Sequence, residues 1–257
     1  MVIIKLILKS EPSTGVNCFG AVTLHLVNLD IGPVSWRINL RNVTIIGSKG
    51  FIGSNLASYL ETVGFEVWCP ERGTLEIFER NLGVVVFCAG YGRCDLDPMK
   101  VLVSNASYLS EVLEKTTFSR LIYLSSTRVY MGTNNSKEDS DILTLTKDSR
   151  RLFNLTKLVA EELCSLSSKD VVVVRPSNVY GLALDSPLYL PSIVRNAVRE
   201  RHVDMYVSKA YEKDYVSVDD VSRLIRQMIL KNKLDYRIYN IASGENVSAA
   251  DIAAVLE

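Results

Sequence analysis

The sequence predicts an α/β protein built on a doubly wound, mostly parallel sheet, and three observations carry that expectation. From Val43 onward, short apolar runs alternate with stretches of helical period. The first run, "VTIIG", leads directly into a glycine-rich loop and a helix. Polar residues with chemistry in them then gather at the ends of the apolar runs, the edge at which sheets of this kind bind ligands.

Taken in order, residues 1–41 stand apart. "VIIKLIL" and "AVTLHLVNL" read as strands, because they are β-branched and partly alternating, with Pro12, Gly15, Gly20, Gly32 and Pro33 between them. They form an extension of unknown role: an added edge hairpin, a misassigned start, or a functional appendage. "VTIIG" is a buried parallel strand, "GFIGSNLASYLETVG" a helix and "FEVWC" a second strand. "GVVVFCAG" is a third strand. Only about a dozen residues separate it from "CPERGT", so the usual intervening strand is short or missing. "VSNASYLSEVLEKT" is helical, "RLIYLSST" a strand, "DSRRLFNLTKLVAEELCSL" a long helix, and "DVVVVRPSNVYG" a further strand and turn. Crossovers between parallel strands are right-handed, which puts the strand C-termini on one edge.

Composition narrows the functional classes. The chain has 257 residues, enough for one large domain or a core with a small lobe. Lys plus Arg and Asp plus Glu number 29 each, so no charge excess points to nucleic acid or an anionic membrane. No run reaches the roughly 18 apolar residues of a membrane span, and "MVIIKLILKS" lacks the marks of a signal peptide. The cysteines at 18, 69, 88, 94 and 164 form no C-x-x-C pair and are odd in number. They read as reduced, mostly buried thiols of a cytoplasmic protein. His25 and His202, the only histidines, lie far from every motif, which argues against a metal centre or a serine–histidine triad and for structural or surface roles.

The loop "GSKGFIG" places Gly47, Gly50 and Gly53 between a strand and a helix. One glycine permits the tight turn, the next lets backbone N–H groups approach a pyrophosphate, and the third lets helix and strand pack closely. The helix N-terminus adds partial positive charge. This is the arrangement of a dinucleotide site, NAD or NADP. An acid after the second strand, Glu71, suits the ribose hydroxyls of NAD. Lys49 and Arg72 suit the extra phosphate of NADP, and two cations against one acid tilt the balance slightly that way.

These residues resemble the extended short-chain dehydrogenase/reductase family, in its nucleotide-sugar epimerase and dehydratase branch. The resemblance rests on "GSKGFIG", "VFCAG", "YLSSTRVYMG", "FNLTKLVAEE", "RPSNVYG", "KDYVSVDD" and "YNIASGENVS", in the family's order from residue 43 onward. It implies a Rossmann sheet over 42–181 and a substrate lobe over 182–257 with segments returning to that sheet. It implies cofactor contacts from Gly47, Lys49, Gly50, Phe51, Ile52, Gly53, Glu71, Arg72, Ala89, Gly90 and Lys157, and substrate contacts from Tyr91, Thr127, Asn178 and Lys213. It also implies oxidoreductase or epimerase chemistry on a nucleotide sugar, with Ser126 as the catalytic hydroxyl, and a homodimer.

The departures from the family's pattern matter equally. Its Tyr-x-x-x-Lys pair stands here as Phe153 and Lys157, so the position of the catalytic tyrosine holds a ring without a proton. Lys213 stands where a phosphate-clamping arginine is common, and Thr127 and Arg128 where dehydratases carry an acidic pair. The sequence stops at Glu257 in a helix begun by the capping pair Ser248 and Asp251, so the substrate lobe is expected to be incomplete. Of the remaining aromatic hydroxyls, Tyr130 reads as core packing, and Tyr91 as either core or a replacement acid. Three readings follow: a cofactor-dependent epimerase or reductase with weakened or altered chemistry, a non-catalytic cofactor-binding or scaffolding subunit, and an inactive degenerate copy.

Overall fold

The computed structural model describes residues 42–182 and 189–256. The strands expected within 1–41, with Cys18 and His25, lie outside the described residues. The main sheet contains β1 (Asn42–Ile46), β2 (Glu66–Trp68), β3 (Val84–Phe87), β4 (Arg120–Leu124), β5 (Val171–Pro176) and β8 (Ile238–Ile241). Its order is β2-β1-β3-β4-β5-β8, and every pairing is parallel.

The strands are apolar without alternation because both of their faces are covered. Along β3, Val84 and Val86 join one core while Val85 and Phe87 join the other, and β4 and β5 divide in the same way. Helices α1 (Phe51–Thr62) and α6 (Val218–Leu230) cover the first face. The second face is covered by α4 (Arg151–Leu166) and by a helix in three parts: α2 (Pro98–Leu102), a π-helical turn at Val103–Ser107, and α3 (Tyr108–Lys115). With about 1.5–3 kcal/mol for each fully buried Val, Leu or Ile, burial rather than strand propensity holds this sheet together.

The connection from β2 to β3 holds one 3₁₀ turn, Leu75–Phe78, and no strand pairs beyond β2 among the described residues. The short spacing is the physical reason. A second, smaller sheet joins β6 (Asn178–Tyr180) in parallel to β7 (Glu212–Ser217), which pairs antiparallel with β9 (Asn246–Ser248). The remaining helices are α5 (Tyr189–Glu200) and α7 (Ala249–Leu256). The expected cap of α7 is present: Ser248 Oγ accepts from Asp251 N (3.1 Å), and the Asp251 carboxylate accepts from Ser248 N (3.1 Å).

One expectation needs correction. Of the four described cysteines, all free thiols, only Cys164 is buried; Cys88 and Cys94 are partly exposed and Cys69 is exposed. Cys69 follows the three-residue edge strand β2, which has a neighbour on one side only. His202 stands on the surface beside Asp204, at 3.0 Å.

Candidate cofactor and substrate site

The glycine loop crosses from β1 to α1 at the C-terminal edge of the sheet. Gly47 has φ +90°, and a Cβ there would stand 2.5 Å from the backbone nitrogen of Ala89, just after β3. Only glycine permits that approach. A Cβ on Gly53 would run into the Gly47 carbonyl. Gly50 differs: its backbone is ordinary extended chain (φ −82°, ψ 165°), and a Cβ would meet only the Gly47 carbonyl oxygen, at 3.3 Å. That contact is tight, but nothing else stands within 4 Å of the Cβ position. Gly50 is also the N-cap of α1 and offers no side chain to the first N–H groups of that helix, at Phe51, Ile52 and Gly53. Open space facing free helix N–H donors fits a dinucleotide pyrophosphate.

Lys157, on α4, reaches under the end of β4. Its Nζ donates to the Leu124 carbonyl (2.7 Å) and lies 3.5 Å from where a Cβ on Gly90 would be. The side chain is buried, and among the described residues that bond is its only hydrogen bond, so two of its three N–H donors remain for a ligand's hydroxyls. Burial pulls its pKa down from 10.5 to about 8, against the opposing pull of Glu161. A folded pKa below the unfolded value means that the unfolded chain holds more protons between the two, so stability rises with pH across about 8 to 10.5. The rise is expected to approach about 3 kcal/mol, and to be missing from Lys157→Met. Urea unfolding of both proteins at pH 7.5 and 10 is the check, and parallel slopes would refute it.

Phe153 lies one turn before Lys157 on the same face of α4. Its ring faces the loop after β3, 3.8 Å from where a Cβ on Gly92 would be. Two cations flank it: the Arg150 guanidinium carbon is 4.7 Å from the ring centroid, and Lys157 Nζ 5.9 Å. Ser126 caps the 3₁₀ turn Thr127–Tyr130, its Oγ accepting from Arg128 N at 3.2 Å. Ser125, its neighbour, donates a short hydrogen bond to Glu161, which is buried against Arg175 at 2.6 Å. Arg175 also donates to the Tyr130 hydroxyl (2.5 Å), which in turn donates to Asn240 (2.9 Å). Tyr130 is thus fully engaged, as its core reading required. Thr127 is half-buried in the same turn, and Tyr91 is half-buried beneath Lys100, which sits 4.4 Å from its ring centroid.

The remaining residues singled out from the sequence fall into two groups. Lys49 pairs with Glu71 at 3.1 Å, both well exposed, and Arg72 donates to Ser104 at 3.0 Å. The two cations counted against Glu71 are therefore both engaged. Asn178 and Lys213 stand on the small sheet, where Asn178 donates to the Asp214 carbonyl (2.8 Å) and Lys213 lies over Tyr211 (5.2 Å). The turn after β6 meets the glycine loop, since a Cβ on Gly181 would stand 3.2 Å from the Phe51 ring.

A family model described as "NAD dependent epimerase/dehydratase family" matches residues 43–242. The chain belongs to that family. A similar curated protein is the dTDP-4-dehydro-6-deoxy-D-allose reductase of a Streptomyces species, 23% identical, with the match covering 84% of this chain and 80% of that one. Among solved structures, MoeE5 in complex with UDP-glucuronic acid and NAD has a TM-score of 0.70 at 22% identity, covering 84% of this chain and 81% of its own. Another is a tyrosine-to-phenylalanine mutant of the Bacillus cereus UDP-glucuronic acid 4-epimerase, with UDP-4-deoxy-4-fluoro-glucuronic acid and NAD. Its TM-score is 0.69 at 19% identity, and the match covers 84% of this chain and 82% of that one. Likeness at that identity shows the fold, a Rossmann-type α/β sheet. No helix among the described residues is long and apolar enough to cross a membrane.

Reading the sequence missed Asn105, Asp148 and Arg150. Asn105 is fully buried in the π-helical turn; its amide brackets Tyr91, accepting from the backbone N–H (2.9 Å) and donating to the carbonyl (3.1 Å), and also donates to Thr156 (3.0 Å). It ties the loop after β3 to α4, and π turns of this kind are common at functional sites. A signal was available: Asn105, Leu109, Val112 and Thr116 share one helical stripe, and a polar residue in that stripe asks for a partner.

Proposed function

We propose that this chain is an NAD-dependent nucleotide-sugar epimerase or reductase in which Phe153 at the tyrosine position leaves the chemistry weakened or altered. The observation that carries the reading is the meeting of the open glycine loop, the buried Lys157 and the Ser126 turn at one edge of the sheet. The dinucleotide, when bound, supplies hydride transfer. The chain's own residues do the rest. Helix α1 directs N–H groups at the pyrophosphate, Lys157 holds ribose hydroxyls, and Asn105 fixes the loop bearing Tyr91. Ser126 donates a hydrogen bond to a substrate oxygen. Phe153 packs against the substrate and moves no proton, and losing a positioned acid–base group costs about 10²- to 10⁴-fold in rate. Thr127 and Arg128 offer no acid pair for dehydration.

Asn178 and Lys213 are assigned to the substrate's diphosphate, with Lys213 as a point charge rather than a bidentate fork. A reducing cytoplasmic setting, supported by the free thiols, and a homodimer, supported by exposed Leu155 and Val159 on α4, belong to the same proposal. NAD is preferred over NADP in it because Lys49 is engaged by Glu71. Glu71→Gln releases Lys49 and removes a charge that repels a 2′-phosphate. It is expected to shift the ratio of NADP to NAD affinity upward about tenfold, read by fluorescence titration. An unchanged ratio would remove the pair from the site.

The test of the proposal is whether purified protein binds NAD and changes nicotinamide absorbance when offered nucleotide sugars. The bare phenyl ring favours a second reading, a non-catalytic cofactor-binding subunit. Tight NAD binding with no absorbance change for any sugar nucleotide would select it.

A further inference from the structure

We infer that the sugar end of the proposed site takes a hexose carrying a carboxylate, with Arg150 as the residue that takes that charge. The inference rests on the nucleotide-sugar reading above. Three charged side chains meet on the rim beside Phe153: Arg128, Arg150 and Asp148. The Asp148 carboxylate is already filled. It accepts from Arg128 Nη2 (2.6 Å), from Asn154 Nδ2 (2.9 Å) and from the backbone N–H of Arg150 (2.9 Å). Asp148 therefore offsets Arg128 and ties the Ser126 turn to the start of α4. The side chain of Arg150 makes no hydrogen bond among the described residues. It lies over the Phe153 ring, at 4.7 Å, and beside Gly92. Arg150 is exposed at the rim; desolvation and repulsion from Arg128 work against its charge, while Cys94 and Asp148 work for it. Asp148 bonds the Arg128 side chain but only the backbone of Arg150, so among these three groups the Arg150 guanidinium has no carboxylate hydrogen-bonded to it.

A guanidinium stacked on a ring keeps its edge N–H groups free, and that edge matches a carboxylate in bidentate fashion. The neutral hydroxyls of an ordinary hexose offer no such partner. Position supports the match. Along α4, Lys157 lies innermost, against Leu124 and Gly90; Phe153 follows one turn outward, and Arg150 one turn beyond it. In the proposed pose the reacting carbon lies by Phe153, and Arg150, whose guanidinium carbon is 4.7 Å from that ring's centroid, is the cation next to it on the side away from Lys157. The substrate's diphosphate is also anionic, and the test separates the two anions.

The full chain, with NAD present, is titrated with matched pairs of glucuronic acid and glucose linked to UDP or to dTDP. The glucuronic acid form is expected to bind about tenfold more tightly. Arg150→Gln should weaken it about tenfold and the glucose form far less, while Arg150→Lys keeps part of the preference. NAD affinity of each variant reports that the fold is intact. No preference in wild type would overturn the inference, and so would equal weakening of both sugars by Arg150→Gln, which makes Arg150 a diphosphate ligand. A chain that binds NAD but neither pair would sink the nucleotide-sugar reading and this inference with it. Binding of both sugars without preference sinks the inference alone.

Discussion

Gly50→Val is expected to abolish dinucleotide binding while leaving the protein folded. The three loop glycines are not equivalent, and the geometry says why. At Gly47 any side chain meets both a left-handed backbone and the chain at Ala89, and at Gly53 it meets the Gly47 carbonyl. Replacing either disturbs the packing of α1 against the sheet. At Gly50 the backbone is extended, which valine tolerates, and the added atoms project into open space ahead of the α1 N-terminus. In the proposed site that space holds the pyrophosphate, so the valine side chain excludes the ligand, at the cost of a tight contact between its Cβ and the Gly47 carbonyl oxygen that a shift of a few tenths of an ångström relieves. Calorimetry with NAD and NADP, beside thermal unfolding of the unliganded protein, makes the comparison. Wild-type affinity in a well-folded Gly50→Val would mean that the loop holds no pyrophosphate.

What was legible in the sequence follows from where each element gets its stability. Strands β1, β3, β4 and β5 are covered on both faces, so they read as continuous apolar runs and were visible at once. The missing strand after β2 was legible from chain length alone. Helix α6 left a signal that went unread: Val218, Val221, Ile225, Met228 and Ile229 make a buried stripe, and Ser217 with Asp220 caps its start. The small sheet was harder, because β6 and β9 have three residues each and no fully buried position. The site divides in the same way. Glycine spacing is local, so the loop was legible. The pairings that set the site's electrostatics are not local. Lys49 meets Glu71 across 22 residues, Asn105 meets Thr156 across 51, and Arg128 meets Asp148 across 20. Counting charges by type could not show which of them the fold had already offset.

Phe153→Tyr is expected to raise turnover of the correct nucleotide sugar, by up to about 10²-fold. The substitution adds one hydroxyl to a ring whose place is already fixed by Gly92, Arg150 and Lys157. A free tyrosine loses its proton near pH 10, and a neighbouring cation within about 4–6 Å lowers that by 1–3 pH units. Here two cations flank the ring, and the buried Lys157 has an ammonium group with donors to spare. The new phenol would therefore ionise more readily than an ordinary one and act as the missing acid–base group near neutral pH. If Ser126 works with it on the same substrate oxygen, Ser126→Ala in the Phe153→Tyr background should remove the gain. The measurement is turnover of a panel of nucleotide sugars by wild type, the single variant and the double variant, with NAD affinity checked in each. A wild type already fast, with Phe153→Tyr no faster, would mean that another acid serves the reaction. Tyr91, whose backbone Asn105 holds in the loop after β3, is then the first to replace. No turnover in any of the three, with NAD bound normally, would leave the chain as a cofactor-binding subunit whose phenyl ring serves only to fill the site.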